Sequence, residues 1–201
     1  MKNLIIIGVP RAGKSTLVKY VIEQLGTEGI PVTLMSGDAI IGGLTDQRAS
    51  LAWRIFIRPL RHIFPSVKRT SKKLLRRNFY RFVRRFFKET TSDFPIIFEG
   101  SQITPSQSEY LFDQNKCKIV VIGYPNADID EKITNIKKFD NNSPVSKLDD
   151  KQIRLCIQNF INISKQYQNE SKNKFVFLDT SKEYHTTLEN FAKNISVFLN
   201  E

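Results

Sequence analysis

The feature that most constrains this chain is the nonapeptide GVPRAGKST at residues 8–16, which directly follows the apolar run NLIIIG. Its spacing, G-x-x-x-x-G-K-[ST], is that of a phosphate-binding loop, in which backbone N–H groups cradle phosphate oxygens at the start of a helix. The apolar run predicts a buried strand, and KSTLVKYVIEQL predicts an amphipathic helix. Strand, glycine-rich loop and helix are the context that such a loop requires, so we predict a nucleotide-phosphate site here rather than a surface turn.

The side chains of this loop have different predicted roles. Lys14 would reach the β- and γ-phosphates of the nucleotide, and the Ser15 hydroxyl would ligate Mg²⁺. Arg11 either clamps the transferring phosphate or faces solvent. Pro10 has no N–H to donate, so the cradle must use its neighbours. The predicted nucleotide-binding residues of the loop are Gly8, Pro10, Arg11, Ala12, Gly13, Lys14, Ser15 and Thr16.

Length and composition indicate one α/β domain over residues 1–201. The hydrophobic fraction of 40% is ordinary for a globular chain. No apolar stretch reaches membrane-spanning length, and we expect no transmembrane segment. Two cysteines, Cys117 and Cys156, are too few for a disulfide framework or a metal cluster, so we expect a cytoplasmic protein.

The net charge of +11 is concentrated in one part of the chain. Residues 47–88 contain 14 lysines and arginines and no aspartate or glutamate, which leaves 17 basic and 20 acidic residues elsewhere. The basic character therefore belongs to one segment and not to the fold as a whole.

Five short β-like runs alternate with helical patterns, which predicts a parallel five-stranded sheet with helices on both faces. The runs are residues 3–8, 32–37, 95–100, 118–124 and 174–180. Ligands of such sheets bind beyond the carboxyl ends of the strands, which singles out Asp38, Glu99, Thr180 and Ser181. Helix capping is the alternative role for Asp38, Thr180 and Ser181, because aspartate, serine and threonine are favoured N-caps.

Residues 39–93 form a long insertion after the second β-run, and its pattern is helical. Five apolar residues share one helical face: Leu75, Phe79, Phe82, Val83 and Phe86. Arginines and lysines cover most of the remainder. We consider four roles for this basic segment. It is a solvent-exposed helical face whose apolar side is buried, a clamp that binds an anionic acceptor, a surface that binds nucleic acid or a surface that binds anionic membranes.

The loop GVPRAGKST also resembles the G-x-P-x-x-G-K-[ST] loops of small P-loop kinases, which include the nucleoside monophosphate kinase-like and the shikimate or gluconate kinase-like enzymes. VIGYPNADIDEKITNIKKFD and FLDTSKEYHTTLENFAKNI are similar to bacterial chains grouped with adenylate kinase-related P-loop kinases, mostly without an assigned substrate. This resemblance covers the chain apart from the basic insertion. It implies ATP·Mg²⁺ as phosphoryl donor and an acceptor site built from the segment after the second strand.

The resemblance also implies roles for individual residues. Asp38 would hold or deprotonate an acceptor hydroxyl, and Glu99 would act on Mg²⁺ through water. Thr180 and Ser181 would lie beside the adenine ring. One departure is that the stretch after the fourth strand lacks the arginine-rich lid of adenylate kinase; the cations we find near it are Lys137, Lys138 and Arg154.

Together these observations predict transfer of the ATP γ-phosphoryl group to a small-molecule hydroxyl or phosphate, with Lys14, Asp38, Arg11 and Glu99 as the catalytic residues. The alternative is a P-loop nucleoside triphosphatase that binds nucleic acid or an anionic membrane surface through residues 47–88. The sequence does not identify the acceptor.

Overall fold

The structure of the protein, a computed structural model, describes residues 1–46, 65–139 and 148–200. Five strands form one parallel sheet in the order β2-β3-β1-β4-β5. The strands are β1 (Asn3–Gly8), β2 (Thr33–Ser36), β3 (Ile96–Gly100), β4 (Cys117–Gly123) and β5 (Val176–Asp179). The predicted parallel five-stranded α/β fold is confirmed, and each predicted β-run contains an observed strand.

Eight helices lie within the described residues. They are α1 (Lys14–Thr27), α2 (Gly37–Asp46), α3 (Pro65–Glu89), α4 (Pro105–Leu111), α5 (Ile129–Phe139), α6 (Asp150–Ser171), α7 (Tyr184–Lys193) and α8 (Ile195–Asn200). The helical character predicted for residues 39–93 is therefore seen in α2 and α3. Residues 47–64 of that insertion lie outside the described residues. No helix of the described chain is both long enough and apolar enough to cross a membrane.

The sheet brings the ends of distant strands to a single edge. β1 is central, and its residues 4–7 are completely buried because helices cover both faces of the sheet. In the parallel register Ser36 lies beside Glu99, and Gly123 lies beside Asp179. The segments that follow the five strands therefore surround the start of α1, as expected for a parallel sheet.

Helix α3 packs its apolar side onto this core, and its cations from Lys72 onwards are exposed. Phe79 and Val83 are completely buried and Phe87 nearly so, whereas Phe82 is 44% exposed. The predicted apolar face was thus wrong at Phe82. The buried stripe instead follows positions 79, 83 and 87, each four residues apart, and Phe82 lies on its flank.

The direction of α3 decides where its cations lie. Tyr80 contacts Gln102, which follows the carboxyl end of β3. Two turns later, Phe87 packs against Phe112, and Lys88 lies in a small cavity with Lys116, the residue before β4. The helix therefore runs from the carboxyl edge of the sheet towards its amino edge.

Candidate active site

The loop between β1 and α1 has a backbone that only glycine permits at two positions. Gly8 and Gly13 have φ angles of 150° and 104°. A Cβ atom on Gly8 would lie 2.0 Å from the main-chain oxygen of Ile122, and one on Gly13 would lie 2.8 Å from the ring of Tyr184. Arg11 also has a positive φ, of 64°. The loop is thus a tight cradle whose shape depends on both glycines of the motif.

Two tyrosines from later in the chain hold this loop. The Tyr124 hydroxyl donates a hydrogen bond of 3.0 Å to the main-chain oxygen of Pro10. The Tyr184 hydroxyl lies 2.8 Å from Thr16 Oγ1, and either group can donate. The sequence analysis missed both tyrosines. Their positions, directly after β4 and at the first residue of α7, were the signal that could have identified them.

Thr180 joins the end of β5 to the same loop. It is almost fully buried, and its hydroxyl lies 3.0 Å from the main-chain oxygen of Ala12, to which it donates. Ser181 is half-buried and lines the neighbouring cleft. The N-cap of α7 is Glu183, so the capping alternative for Thr180 and Ser181 is wrong. Their predicted contact with a nucleotide stays a prediction.

Lys14 lies at the electrostatic centre of the site. Its amine donates a hydrogen bond of 2.8 Å to the main-chain oxygen of Val9. Burial lowers the pKa of Lys14 to about 8, the carboxylates of Glu99 and Asp38 oppose this shift, and Arg11 adds to it. The other three residues predicted to be catalytic are therefore close enough to Lys14 to act on it through charge. Their catalytic roles stay predictions.

The two predicted metal-binding residues are in direct contact. The Ser15 hydroxyl donates a hydrogen bond of 2.9 Å to Glu99 Oε2. Such an oxygen pair suits Mg²⁺, which prefers oxygen ligands and is held in phosphate-transfer sites by few protein groups together with substrate phosphates. Within the described residues, no three histidine, cysteine, aspartate or glutamate side chains form a metal-binding group, which is compatible with that sparse mode.

Asp38 is positioned by a residue that the sequence analysis missed. Asp38 is the second residue of α2 and not its N-cap, and Gln102 Nε2 donates a hydrogen bond to Asp38 Oδ1. Gln102 Oε1 is buried without a hydrogen-bond partner. It fills the space beside Gly37 and Gly100, since a Cβ on either glycine would lie 2.5 Å from it. These two glycines therefore admit the amide that orients the Asp38 carboxylate.

One tyrosine of helix α3 contacts Gln102, the residue that holds this carboxylate. The Tyr80 hydroxyl lies 3.1 Å from the main-chain oxygen of Gln102 and 2.8 Å from Gln107 Oε1. It also accepts a hydrogen bond from Arg76 Nε. Arg76 is thus connected to the Asp38 side of the site through Tyr80 and Gln102.

Two other arginines of α3 lie further along the helix. Arg84 lines the small cavity that contains Lys116, near the amino edge of the sheet. Arg85 is exposed and forms a 3.0 Å ion pair with Glu89. Arg84 therefore lies towards the edge of the sheet opposite to Asp38.

A cleft of about 820 Å³ opens beside the phosphate-binding loop. Its walls are the loop and the start of α1, helix α5, and the segment of residues 180–185. Pockets of this size hold small organic ligands in other proteins. The cleft therefore joins the glycine-rich loop to a space large enough for a small organic ligand.

No protein-family model matches the sequence, and no curated protein gives a match. Solved structures do match over nearly the full length. A sugar kinase from Janibacter sp. HTCC2649 has a TM-score of 0.54 and 11% identity, and covers 99% of this chain and 95% of its own. Shikimate kinase from Acinetobacter baumannii, in complex with shikimate, has a TM-score of 0.51 and 15% identity over 100% and 93% of the two chains. A gluconokinase from Sinorhizobium meliloti 1021 has a TM-score of 0.49 and 11% identity over 98% and 97%.

At these identities the likeness concerns the fold. The chain has the fold of small P-loop kinases, as its resemblance to the shikimate and gluconate kinase-like group predicts. The alternative, a nucleoside triphosphatase that binds nucleic acid or a membrane through residues 47–88, receives no support from these neighbours.

Proposed function

We propose that the protein is an ATP-dependent phosphotransferase that moves the γ-phosphoryl group to a hydroxyl or phosphate of a small molecule. The observation that carries this proposal is the cluster around Lys14. Glu99, at the end of β3, accepts a hydrogen bond from Ser15, and Asp38, just after β2, accepts one from Gln102; both carboxylates act through charge on Lys14. A nucleoside triphosphatase needs a phosphate cradle and a metal site. A second, separately oriented carboxylate suits an acceptor.

The donor side of the site would be the loop, Lys14, Ser15 and Glu99. Backbone N–H groups and the Lys14 charge would neutralise the nucleotide phosphates. Ser15 would ligate Mg²⁺ and Glu99 would hold its water. Mg²⁺ held there would supply positive charge against the phosphates. Arg11 lines the cleft and would add positive charge at the transferring group.

The acceptor side would be Asp38, supported by Gln102 and Arg76. Gln102 holds one carboxylate oxygen of Asp38 in a fixed position. The carboxylate would then orient an acceptor hydroxyl and accept its proton, a role that contributes roughly 10²–10⁴-fold in rate. Arg76 would supply a cation near the same edge, where α3 approaches Gln102.

The proposal is tested by measuring ATP consumption with and without candidate acceptors. A thermal-shift screen of metabolites, with an unreactive ATP analogue and Mg²⁺, would first select ligands, because a ligand that binds only the native state raises its stability. Stoichiometric phosphorylation of a selected metabolite supports the kinase. ATP consumption that is stimulated by RNA or DNA, and by no metabolite, contradicts it.

A further inference from the structure

Lys132 is a cation that the sequence analysis did not consider, and it faces the nucleotide cleft. It lies near the start of α5 and lines the same cleft as Lys14, Ser15 and Thr16. Its amine lies 4.2 Å from the centre of the Tyr124 ring and 5.9 Å from that of Tyr184. These are the two tyrosines whose hydroxyls hold the phosphate-binding loop. Lys132 therefore lies next to the side chains that hold the loop.

The charge of Lys132 is largely withdrawn from water. Within the described part of the chain, no ion pair involves Lys132. Burial lowers the pKa of Lys132 to about 8, and the neighbouring Glu131 offsets this only in part. Contact with two aromatic faces compensates for some of the lost hydration, but a desolvated ammonium without an anion remains costly. A bound anion would remove that cost.

Three other cations of α5 and α6 are engaged outside the cleft. Lys137 forms a 2.5 Å ion pair with Asp150, and Arg154 pairs with Asp130, so both tie α5 to α6. Lys138 is exposed and lies over the ring of Phe139. The cations that we named from the sequence are thus turned away from the phosphate site, and Lys132 is the lysine of α5 that lines it.

The position of Lys132 within α5 is also unfavourable for the helix itself. Its N–H bonds to the main-chain oxygen of Asp128, so it lies at the first hydrogen-bonded turn. The N-terminal end of a helix carries partial positive charge and favours anions over cations. Lys132 is thus a cation at the unfavourable end of the helix, beside Asp128 and Glu131, which line the same wall of the cleft.

We propose that Lys132 is a second phosphate-binding residue, which neutralises the nucleotide triphosphate from the α5 side while Lys14 does so from the loop. This rests on the proposed function, in that the cleft must hold a nucleotide. The consequence is specific: Lys132 should contribute to affinity in proportion to the number of phosphates. It should contribute nothing to the binding of the nucleoside.

The test compares Lys132→Met, which keeps the apolar stem, with Lys132→Arg, which keeps the charge. Lys138→Met, on the same helix but outside the cleft, is the matched control. Dissociation constants would be measured by titration calorimetry for MgATP, MgADP, adenosine and magnesium tripolyphosphate, and by competition where binding is weak. Unfolding temperatures without ligand would be measured for each variant.

We expect Lys132→Met to weaken MgATP and tripolyphosphate about 10- to 100-fold, MgADP less, and adenosine not at all. Lys132→Arg should recover at least part of the loss, and Lys138→Met should behave as the wild type. The unliganded unfolding temperature of Lys132→Met should be unchanged or raised, because a desolvated charge is removed. A lower unfolding temperature together with equal losses for ATP and adenosine would indicate a packing role and overturn the inference.

The two levels of the proposal fail differently. If the wild type binds MgATP and Lys132→Met binds it equally well, the role of Lys132 is wrong and the proposed function stands. If the wild type binds neither MgATP nor tripolyphosphate, the nucleotide site itself is wrong, and the role of Lys132 fails with it.

Discussion

The Ser15 hydroxyl donates a 2.9 Å hydrogen bond to Glu99 Oε2, although 84 positions separate the two residues in the chain. This contact joins the start of α1 to the end of β3. It exists because β3 lies beside β1 in the sheet, so that both strands deliver their following segments to one edge. The contact places the Glu99 carboxylate at hydrogen-bonding distance from the end of the phosphate-binding loop.

Replacing Glu99 by glutamine should lower turnover roughly 10- to 100-fold with little change in ATP affinity, as for other groups that act on a metal through its ligands. The amide keeps the shape and can still accept the Ser15 hydrogen bond, but it has no charge for Mg²⁺ or its water. Steady-state ATP consumption over a Mg²⁺ titration would measure this. Glu89→Gln, at the exposed end of α3, is the control. If the dependence of ATP consumption on Mg²⁺ is unchanged in Glu99→Gln, Glu99 has a structural role only.

Replacing Lys14 by alanine should reduce turnover by roughly 10²-fold or more and weaken MgATP binding, because water cannot replace a preorganised charge at the phosphates. Lys19→Ala, an exposed lysine of the same helix, should leave both quantities unchanged. Calorimetry and ATP consumption measure the two effects. Wild-type turnover in a folded Lys14→Ala variant is incompatible with a phosphate-binding role for the loop.

Replacing Gly13 by alanine should lower the free energy of unfolding by about 1–3 kcal/mol, the typical cost of a side chain in a left-handed backbone. The new Cβ would also meet the ring of Tyr184. Gly26→Ala is the matched control, because Gly26 lies in α1 with open space around it, and there alanine should stabilise by roughly 0.5–1 kcal/mol. Urea unfolding of both variants measures the difference, and equal stabilities would contradict the observed loop geometry.

Replacing Asp38 by asparagine should reduce transfer to the acceptor roughly 10²–10⁴-fold while MgATP binding persists, since a general base is lost. Gln102→Ala should have a smaller effect in the same direction, because the carboxylate remains but is no longer oriented. In the double variant the two effects should not add, since both act through one group. Additive losses would mean that Gln102 acts independently of Asp38.

Replacing Arg76 by glutamine should raise KM for an anionic acceptor and leave MgATP affinity unchanged. Arg84→Gln, two turns further along α3, should leave both unchanged, because it lies towards the amino edge of the sheet. The comparison requires the acceptor identified by the thermal-shift screen. If Arg76→Gln and Arg84→Gln lose acceptor affinity equally, the basic face of α3 acts as a whole. A specific contact between Arg76 and the acceptor is then contradicted.

Much of the fold was predictable from local patterns. The alternation of apolar runs with amphipathic helices determined the five parallel strands, because strand and helix periodicities are properties of neighbouring residues. The loop at residues 8–16 was predictable in the same way, because its glycines and Lys14 are close neighbours in the sequence. The position of Asp38 and Glu99 at one edge of the sheet was also predictable, because parallel strands end at a common edge; their roles stay predictions.

The sequence by itself thus determined the type of fold, the loop and the residues that follow the strands. Only the tertiary structure decided that Gln102 holds Asp38, that Tyr124 and Tyr184 hold the loop, and that Lys132 faces the cleft while Lys137 does not. It also separated Arg76 from Arg84 within one uniformly basic helix. The physical reason is that these contacts join residues 60 to 170 positions apart, or depend on how a helix is rotated and directed against the sheet. Helical periodicity shows which residues share a face; packing against the rest of the chain decides what that face meets.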